Sequence, residues 1–257
     1  MTDDLELAGD LVRQAGRLAA WMLREGLDTH HKSSVSDVVS DADHAAEELI
    51  VAALRAVRPD DGLIGEEGAD QPAAGGRTWY IDPVDGTYNF LSGLPYWCSA
   101  IALADHQRAG SGEPTLGAVY HPSADELWVG GPEHPTSCND VPVRQLVDTP
   151  LSRLSLASYL HPETLPDDGA REPLLAVLRG AATVRMLGSG SLELAAVAGG
   201  RLGLWAQLDT LEWDWLPGAA LVSGAGGVTE IVHHRGHRWH LAGNRQAVAE
   251  ARGLLLS

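Results

Sequence analysis

Leu7, Leu11, Ala15, Leu18 and Met22 recur at steps of four, four, three and four, which predicts an amphipathic helix near the start of the chain. A second helix is predicted from about Asp41 to Val57, with Ala46, Leu49, Ala53 and Val57 as its buried stripe and Pro59 closing it. Short β-like runs follow at Gly62 to Ile64, Thr78 to Ile81, Ser99 to Leu103, Leu116 to Tyr120 and Glu126 to Val129. Gly, Pro and Asp clusters separate them, as in a mostly antiparallel sheet. The Pro- and Gly-rich stretch from Ala69 to Arg77 reads as a mobile surface loop.

From about Leu146 the pattern changes. Strand-like Leu154 to Ala157 precedes a helical stretch near Glu172 to Arg179, then strand-like Ala182 to Met186. A helix over Leu192 to Ala198, a strand over Leu202 to Ala206 and a helix over Trp213 to Ser223 come next. This alternation predicts an N-terminal α+β half over residues 1–145 and a C-terminal α/β half over 146–257. The boundary falls near Val141 to Pro150, and there is no internal repeat.

Composition narrows the partners. A formal charge of −17 over 257 residues argues against polyanionic partners such as nucleic acid or an anionic membrane surface. It leaves a phosphate substrate open, because bound cations invert a local field. Two cysteines, Cys98 and Cys138, are too few for a disulfide framework. The acidic start and the lack of an apolar run long enough for a bilayer point to a cytoplasmic protein.

The informative segment is W-Y-I-D-P-V-D-G-T-Y-N-F, from Trp79 to Phe90. A strand ends at Asp82, Pro83 forces a turn, and Asp85, Gly86 and Thr87 follow. Two carboxylates on such a turn can converge on one spot, and Gly86 lets backbone approach a ligand closely. A helix starting at Thr87 would offer free amides to an anion at the same spot. The competing reading is a turn in which Asp82 and Asp85 only cap a helix. Two further acidic sites tip the balance: Gly65-Glu66-Glu67-Gly68 after another short strand, and Trp213-Asp214 at the start of an apolar helix. Pro217 is expected in that helix's first turn, where its missing N–H is tolerated, and Asp214 alone could be an N-cap. Carboxylates from three separate element ends would repel strongly without a cation between them. An oxygen-only set favours Mg²⁺ or Mn²⁺ over zinc.

Together, G-E-E, D-P-V-D-G-T-x-N-F and W-D-x-x-P-G resemble the signature of the inositol monophosphatase family. An upstream K-S-S-x-x-D-x-V-S-x-A-D at Lys32 to Asp43 is similar too, so the resemblance runs from about Lys32 to Gly227. It implies a layered αβαβα sandwich, two or three Mg²⁺ per subunit, lithium sensitivity and a homodimer. It also implies that Glu66, Asp82 and the Val84 carbonyl hold one ion, and that Asp82, Asp85 and Asp214 hold another. A third ion would sit near Glu66, held largely through waters. The attacking water would be oriented by Glu66 and Thr87, with Asp43 accepting from that threonine; Asp41 misses the register by two residues. Gly86 and Thr87 amides would bind the phosphate.

For the alcohol, the resemblance implies contacts from Asp85, from the loop Gly188-Ser189-Gly190-Ser191, from Asp214, and from an acid seven positions before it. That last position holds Gln207. The implied substrate is a small phosphorylated alcohol, inositol 1-phosphate first. Glu193, Asp209 and Glu212 could instead supply acidity for a cationic alcohol, which makes histidinol phosphate the alternative. As solvated positions on a helix or loop face they would have no such role. A non-catalytic binding member is the rival from another class, and the intact carboxylate set with Thr87 speaks against it.

His233, His234, His237 and His240 crowd into H-H-R-G-H-R-W-H. The spacing predicts a β-hairpin turning at Gly236, with largely exposed histidines and no acidic groups behind them to support a metal. Eight tryptophans stand against one phenylalanine. Most are expected as core or dimer-interface anchors, with Trp97 or Trp205 as candidates to line a pocket.

Overall fold

The computed structural model describes residues 3–26, 29–31, 38–107 and 113–257. Helix α1 (Asp4–Glu25) opens it, followed by a small hairpin of β1 (Thr29–His31) and β2 (Val38–Ser40), and then α2 (Asp41–Val57). Lys32 to Asp37 of the upstream motif lie outside the described residues. Both helices occupy the predicted spans, but their buried stripes are rotated from the predicted ones. Ala8, Leu11, Val12, Ala15 and Ala19 are buried on α1, and Ala42, Ala46, Ile50 and Leu54 on α2. Val57 is exposed. The offset on α2 has a physical cause: Asp43 and Glu47 also lie on its buried side, where a hydrophobic pattern cannot see them.

An eight-stranded sheet follows. Its strands are β3 (Gly62–Gly65), β4 (Asp70–Gln71), β5 (Arg77–Asp85), β6 (Cys98–Asp105), β7 (Pro114–His121), β8 (Glu126–Gly131), β9 (His134–Cys138) and β10 (Val141–Pro142). The order is β10-β9-β8-β7-β6-β5-β3-β4, antiparallel throughout except where β3 runs parallel to β5. The segment expected as a surface loop contains β4, which pairs with β3, and its last residue opens β5. A five-residue helix, α3 (Thr87–Leu91), leaves the end of β5.

The C-terminal part forms a five-stranded sheet from β11 (Ser155–Ala157), β12 (Thr183–Arg185), β13 (Leu204–Leu208), β14 (Val228–His234) and β15 (His237–Gly243). Helices α4 (Asp168–Gly180), α5 (Gly190–Ala198), α6 (Glu212–Gly224) and α7 (Arg245–Leu255) alternate with them. No element is predicted above for α7, although Ala247, Val248, Ala251 and Leu255 give it a buried face.

Three apolar clusters stack these elements into the expected αβαβα order. Helices α1 and α2 pack Leu11, Val12, Ile50 and Leu54 against Trp79, Ile81 and Ile101 on one face of the large sheet. The other face meets α5 and α6, whose Leu194, Val197, Leu216 and Leu221 also contact Trp205 and Ala242 of the small sheet. Helices α4 and α7 cover the far side through Leu174, Val177, Val248 and Leu255. Helix α6 is apolar nearly all round because it lies between two sheets. Pro217 falls within this helix, beyond the expected first turn, because the helix already begins at Glu212.

Candidate active site

The site begins with an irregularity in β5. Side chains alternate along a strand, so Asp82 and Asp85, three apart, would face opposite sides of the sheet. Trp79 and Ile81 face α1 and α2, whereas Tyr80 faces α5 and α6. Between Asp82 and Asp85 the register with β6 shifts by one: Asp82 lies opposite Ala100, and Asp85 opposite Cys98. This bulge takes up the odd residue and returns Asp85 to the face of Asp82. Pro83 suits the position, since it has no N–H to offer a ladder, and its carbonyl accepts from Ser99 Oγ at 2.6 Å. Val84 is sent the other way and packs with Ala19, Ala42, Phe90 and Trp97.

Gly86 then caps α3 with φ of 94°, a left-handed conformation that favours glycine. A Cβ there would lie 2.9 Å from the carbonyl oxygen of Gly188, so the turn and the 188–191 loop are in direct contact. Thr87 Oγ1 lies within donating distance of the Val84 carbonyl at 3.0 Å and Asp43 Oδ1 at 3.1 Å. Asp43 is buried and also accepts from the Ser40 amide, forming a capping box at the start of α2. Asp41 lies on the exposed side.

Glu66 follows β3, and its amide donates to the Ile81 carbonyl at 3.1 Å, which sets it beside the end of β5. The turn carrying it rests on Glu47, whose carboxylate accepts from the Glu67 amide at 2.9 Å and the Ala69 amide at 2.8 Å. A Cβ on Gly65 would come within 2.2 Å of that carboxylate, so glycine is needed for the approach. The sequence reading does not single out Glu47. Its signal was an acid four residues after Asp43, on the same helix face.

Asp214 is the third residue of α6, and the helix cap itself is Leu211. One oxygen from each of Asp82, Asp85 and Asp214 lies within 4.8 Å of the others, a group that could hold a metal ion. Burial raises the pKa of all three, strongly for Asp82 and Asp214. The charges of Glu66, Asp85 and Asp214 push Asp82 further up. Asp85 is eased by the amides of Ser191 at 2.6 Å and Gly190 at 3.2 Å, which start α5. Asp82 has no such relief: it is 1% exposed and neither oxygen accepts a hydrogen bond. A buried carboxylate without a donor and ringed by acids is strongly destabilising by itself. A hard divalent cation fits this all-oxygen set.

The 188–191 loop is held from several sides. Asn89 Nδ2 donates to the Leu187 carbonyl at 2.7 Å and the Tyr96 carbonyl at 2.8 Å. Ser191 Oγ donates to the Asp214 carbonyl at 3.2 Å, linking α5 to α6. Gln207, on β13, lies opposite His240 on β15. Trp97 and Trp205, candidates for lining the pocket, are core side chains at 3% and 0% exposure. Trp97 packs edge-on against Phe90.

The three acids read either as acidity for a cationic alcohol or as solvated positions are mostly engaged within the protein. Glu193 is 1% exposed and accepts from the Leu187 amide at 2.8 Å and Trp205 Nε1 at 3.0 Å. Burial pushes its pKa up to about 8. Asp209 accepts from the Arg238 amide at 2.9 Å and meets His237 Nδ1 at 2.6 Å. Glu212 is exposed, with Arg238 at 3.7 Å.

The histidine-rich segment is the expected hairpin, turning at Arg235 and Gly236, both at positive φ. The expectation for its side chains is corrected at two positions. His237 does have acidic neighbours, Asp209 and, at 3.0 Å from Nε2, Asp167; both arrive from distant parts of the chain. His240 is buried edge-on against Trp215 at 5.0 Å, and burial pushes its pKa down to about 4. Among the described residues, no three of these histidines and their acidic neighbours converge as a metal-binding group.

Buried carboxylates that a hard cation would neutralise, set beside a glycine turn between two sheets, fit a metal-dependent phosphate-ester hydrolase. Residues 2–255 match the inositol monophosphatase family. The chain is 31% identical to inositol monophosphatase 3 of Solanum lycopersicum over 94% of its own length and 91% of that protein. It is 32% identical to a histidinol-phosphatase of Chlorobaculum parvum, over 99% and 92%. The crystal structure of extragenic suppressor protein suhB from Bartonella henselae superposes with a TM-score of 0.85 at 26% identity, covering 97% of this chain and 96% of that one. The chain belongs to the inositol monophosphatase family and is a phosphoric monoester hydrolase.

Proposed function

We propose that the protein hydrolyses inositol 1-phosphate with Mg²⁺. On this reading Glu66, Asp82 and the Val84 carbonyl would hold one ion and Asp82, Asp85 and Asp214 a second, with a third near Glu66, and Mn²⁺ would substitute for Mg²⁺. Such ions supply charge neutralisation for the phosphate and acidify water. Glu66 and Thr87 orient the attacking water. Thr87 Oγ1 takes its proton while passing its own to Asp43, which lies 3.1 Å away. The Gly86 and Thr87 amides hold the phosphate oxygens while the water oxygen bonds to phosphorus and the bond to the ester oxygen breaks. That oxygen leaves as the alcohol by taking a proton from solvent. Asp85, Gly188, Ser189, Gly190, Gln207 and Asp214 face the alcohol.

The observation that carries the choice of a neutral polyol is the commitment of the nearby acids. Glu193 uses both oxygens inside the protein, and Asp209 is engaged by His237 and Arg238. A cationic alcohol would therefore find mainly Glu212, which already faces Arg238. Histidinol phosphate stays the second reading because of the 32% identical histidinol-phosphatase. Phosphate release from both esters, with and without Mg²⁺, tests the choice. Strong magnesium-dependent turnover of inositol 1-phosphate alone is expected, and preference for histidinol phosphate overturns it.

The same reading takes the protein as a cytoplasmic homodimer built from halves at 1–145 and 146–257. Among the described residues, no helix is long and apolar enough to cross a membrane. Sedimentation at micromolar concentration checks the dimer.

A further inference from the structure

We propose that Glu193 is a positioning residue for recognition of the substrate's alcohol, fixing the Leu187–Ser189 backbone against the Gly86 turn. The proposal rests on the site assignment above and adds a residue that the assignment does not use. Glu193 does not touch substrate: it is 1% exposed and both carboxylate oxygens are occupied within the protein.

The Leu187 peptide is gripped at both ends. Its N–H donates to Glu193 at 2.8 Å, and its carbonyl accepts from Asn89 at 2.7 Å. The next residue, Gly188, sits at φ of 82°, and its carbonyl oxygen lies against Gly86. Without the first grip, Gly188 and Ser189 would be free to rotate about a flexible glycine beside the phosphate turn. The second oxygen of Glu193 accepts from Trp205 Nε1, and Trp205 stacks on Trp215 at 5.6 Å. Trp215 adjoins Asp214 in the chain, so one carboxylate ties the loop to the wall behind a candidate metal ligand.

An acid is a costly choice here. The charge of Asp85 reaches it, and burial already disfavours ionisation. Two convergent donors, one of them loop backbone, each face an oxygen of Glu193, whereas glutamine would set an NH2 donor against one of them. That difference makes the role testable.

The experiment compares wild type, Glu193→Ala, Glu193→Gln and the double variant Glu193→Gln with Trp205→Phe. Each is assayed on inositol 1-phosphate and histidinol phosphate, and on p-nitrophenyl phosphate, whose leaving group has no hydroxyls to recognise. For the alcohol phosphate that wild type turns over, Glu193→Ala is expected to raise KM about tenfold with kcat nearly kept, a loss of binding alone. Values for p-nitrophenyl phosphate stay near wild type. Glu193→Gln falls between, and adding Trp205→Phe, which removes the donor facing the amide, brings KM back toward wild type. Equal losses on all esters, or no rescue by the double variant, overturn the proposal. Amide exchange over residues 186–189 reads the tether independently of substrate. Faster exchange there in Glu193→Ala, with protection elsewhere unchanged, supports it even if neither alcohol ester is turned over, in which case only the substrate reading fails. Unchanged exchange overturns the tether itself.

Discussion

The buried acids of this protein fall into two regions that treat the same chemical group in opposite ways. At the end of β5, Asp82 has no donor to either oxygen and shares its surroundings with Glu66, Asp85 and Asp214. Behind and beside it, Glu47, Glu193 and Asp43 are as deeply set, yet each accepts from backbone amides or fixed side chains. The first region is destabilised by its own charge and becomes favourable when a cation enters. The second is satisfied by protein alone and holds the loops that shape the first, Asp43 alone also standing on the proposed proton path. Burial of an acid therefore does not mark a catalytic role; what its oxygens face does.

Substitution separates the two regions most sharply. Asp82→Asn, on the proposed assignment, is expected to lower turnover by about 10³-fold. It should also raise the melting temperature of the metal-free protein, since one repelling charge is gone. Melting scans with and without Mg²⁺ check the sign, and a destabilised metal-free variant would erase the contrast. Thr87→Ala should cost about 10²-fold in kcat, while Thr87→Ser, keeping the hydroxyl near Asp43, loses far less. Equal losses in the two variants would remove the hydroxyl from the proton path.

In the satisfied region the effect moves from rate to stability. Glu47→Ala leaves the Glu67 and Ala69 amides without their acceptor and should cost about 1–3 kcal/mol by denaturant unfolding. The smallest effect is a pH dependence away from both regions. His240 titrates at about 4 in the folded chain against an ordinary 6.5, so the unfolded chain binds more protons between those values. Its contribution to stability is lost as pH falls through that window, and His240→Leu should flatten the curve there.

The unsatisfied region was the more legible one in the sequence. D-P-V-D-G-T packs proline, glycine and two acids into a strand end, and the acids at Glu66 and Asp214 weighed against its being a plain capping turn. The pattern of apolar residues also located the main helices and the central strands. The bulge was not legible, because Pro83 announces a break without saying which way Asp85 turns. The satisfied region was nearly silent. Asp43 was reached only through resemblance, and Glu47 was missed because it occupies a helix face read from apolar residues alone. Glu193 stayed open between acidity for a cationic alcohol and a solvated position, because its partners, Leu187 and Trp205, meet it only through the fold. Asp167 and Asp209 reach His237 from 70 and 28 positions away, beyond any local pattern.

The bulge at Pro83 and Val84 also sets which errors the chain tolerates. Substituting either residue alters packing or one ladder position and leaves the count intact. Deleting one residue there would remove the bulge yet leave Asp85 two positions after Asp82, still on its face of a now regular strand. The extra residue is thus spent on the backbone between the two acids, where the chain leaves the ladder and the Val84 carbonyl is met by Thr87 Oγ1 at 3.0 Å.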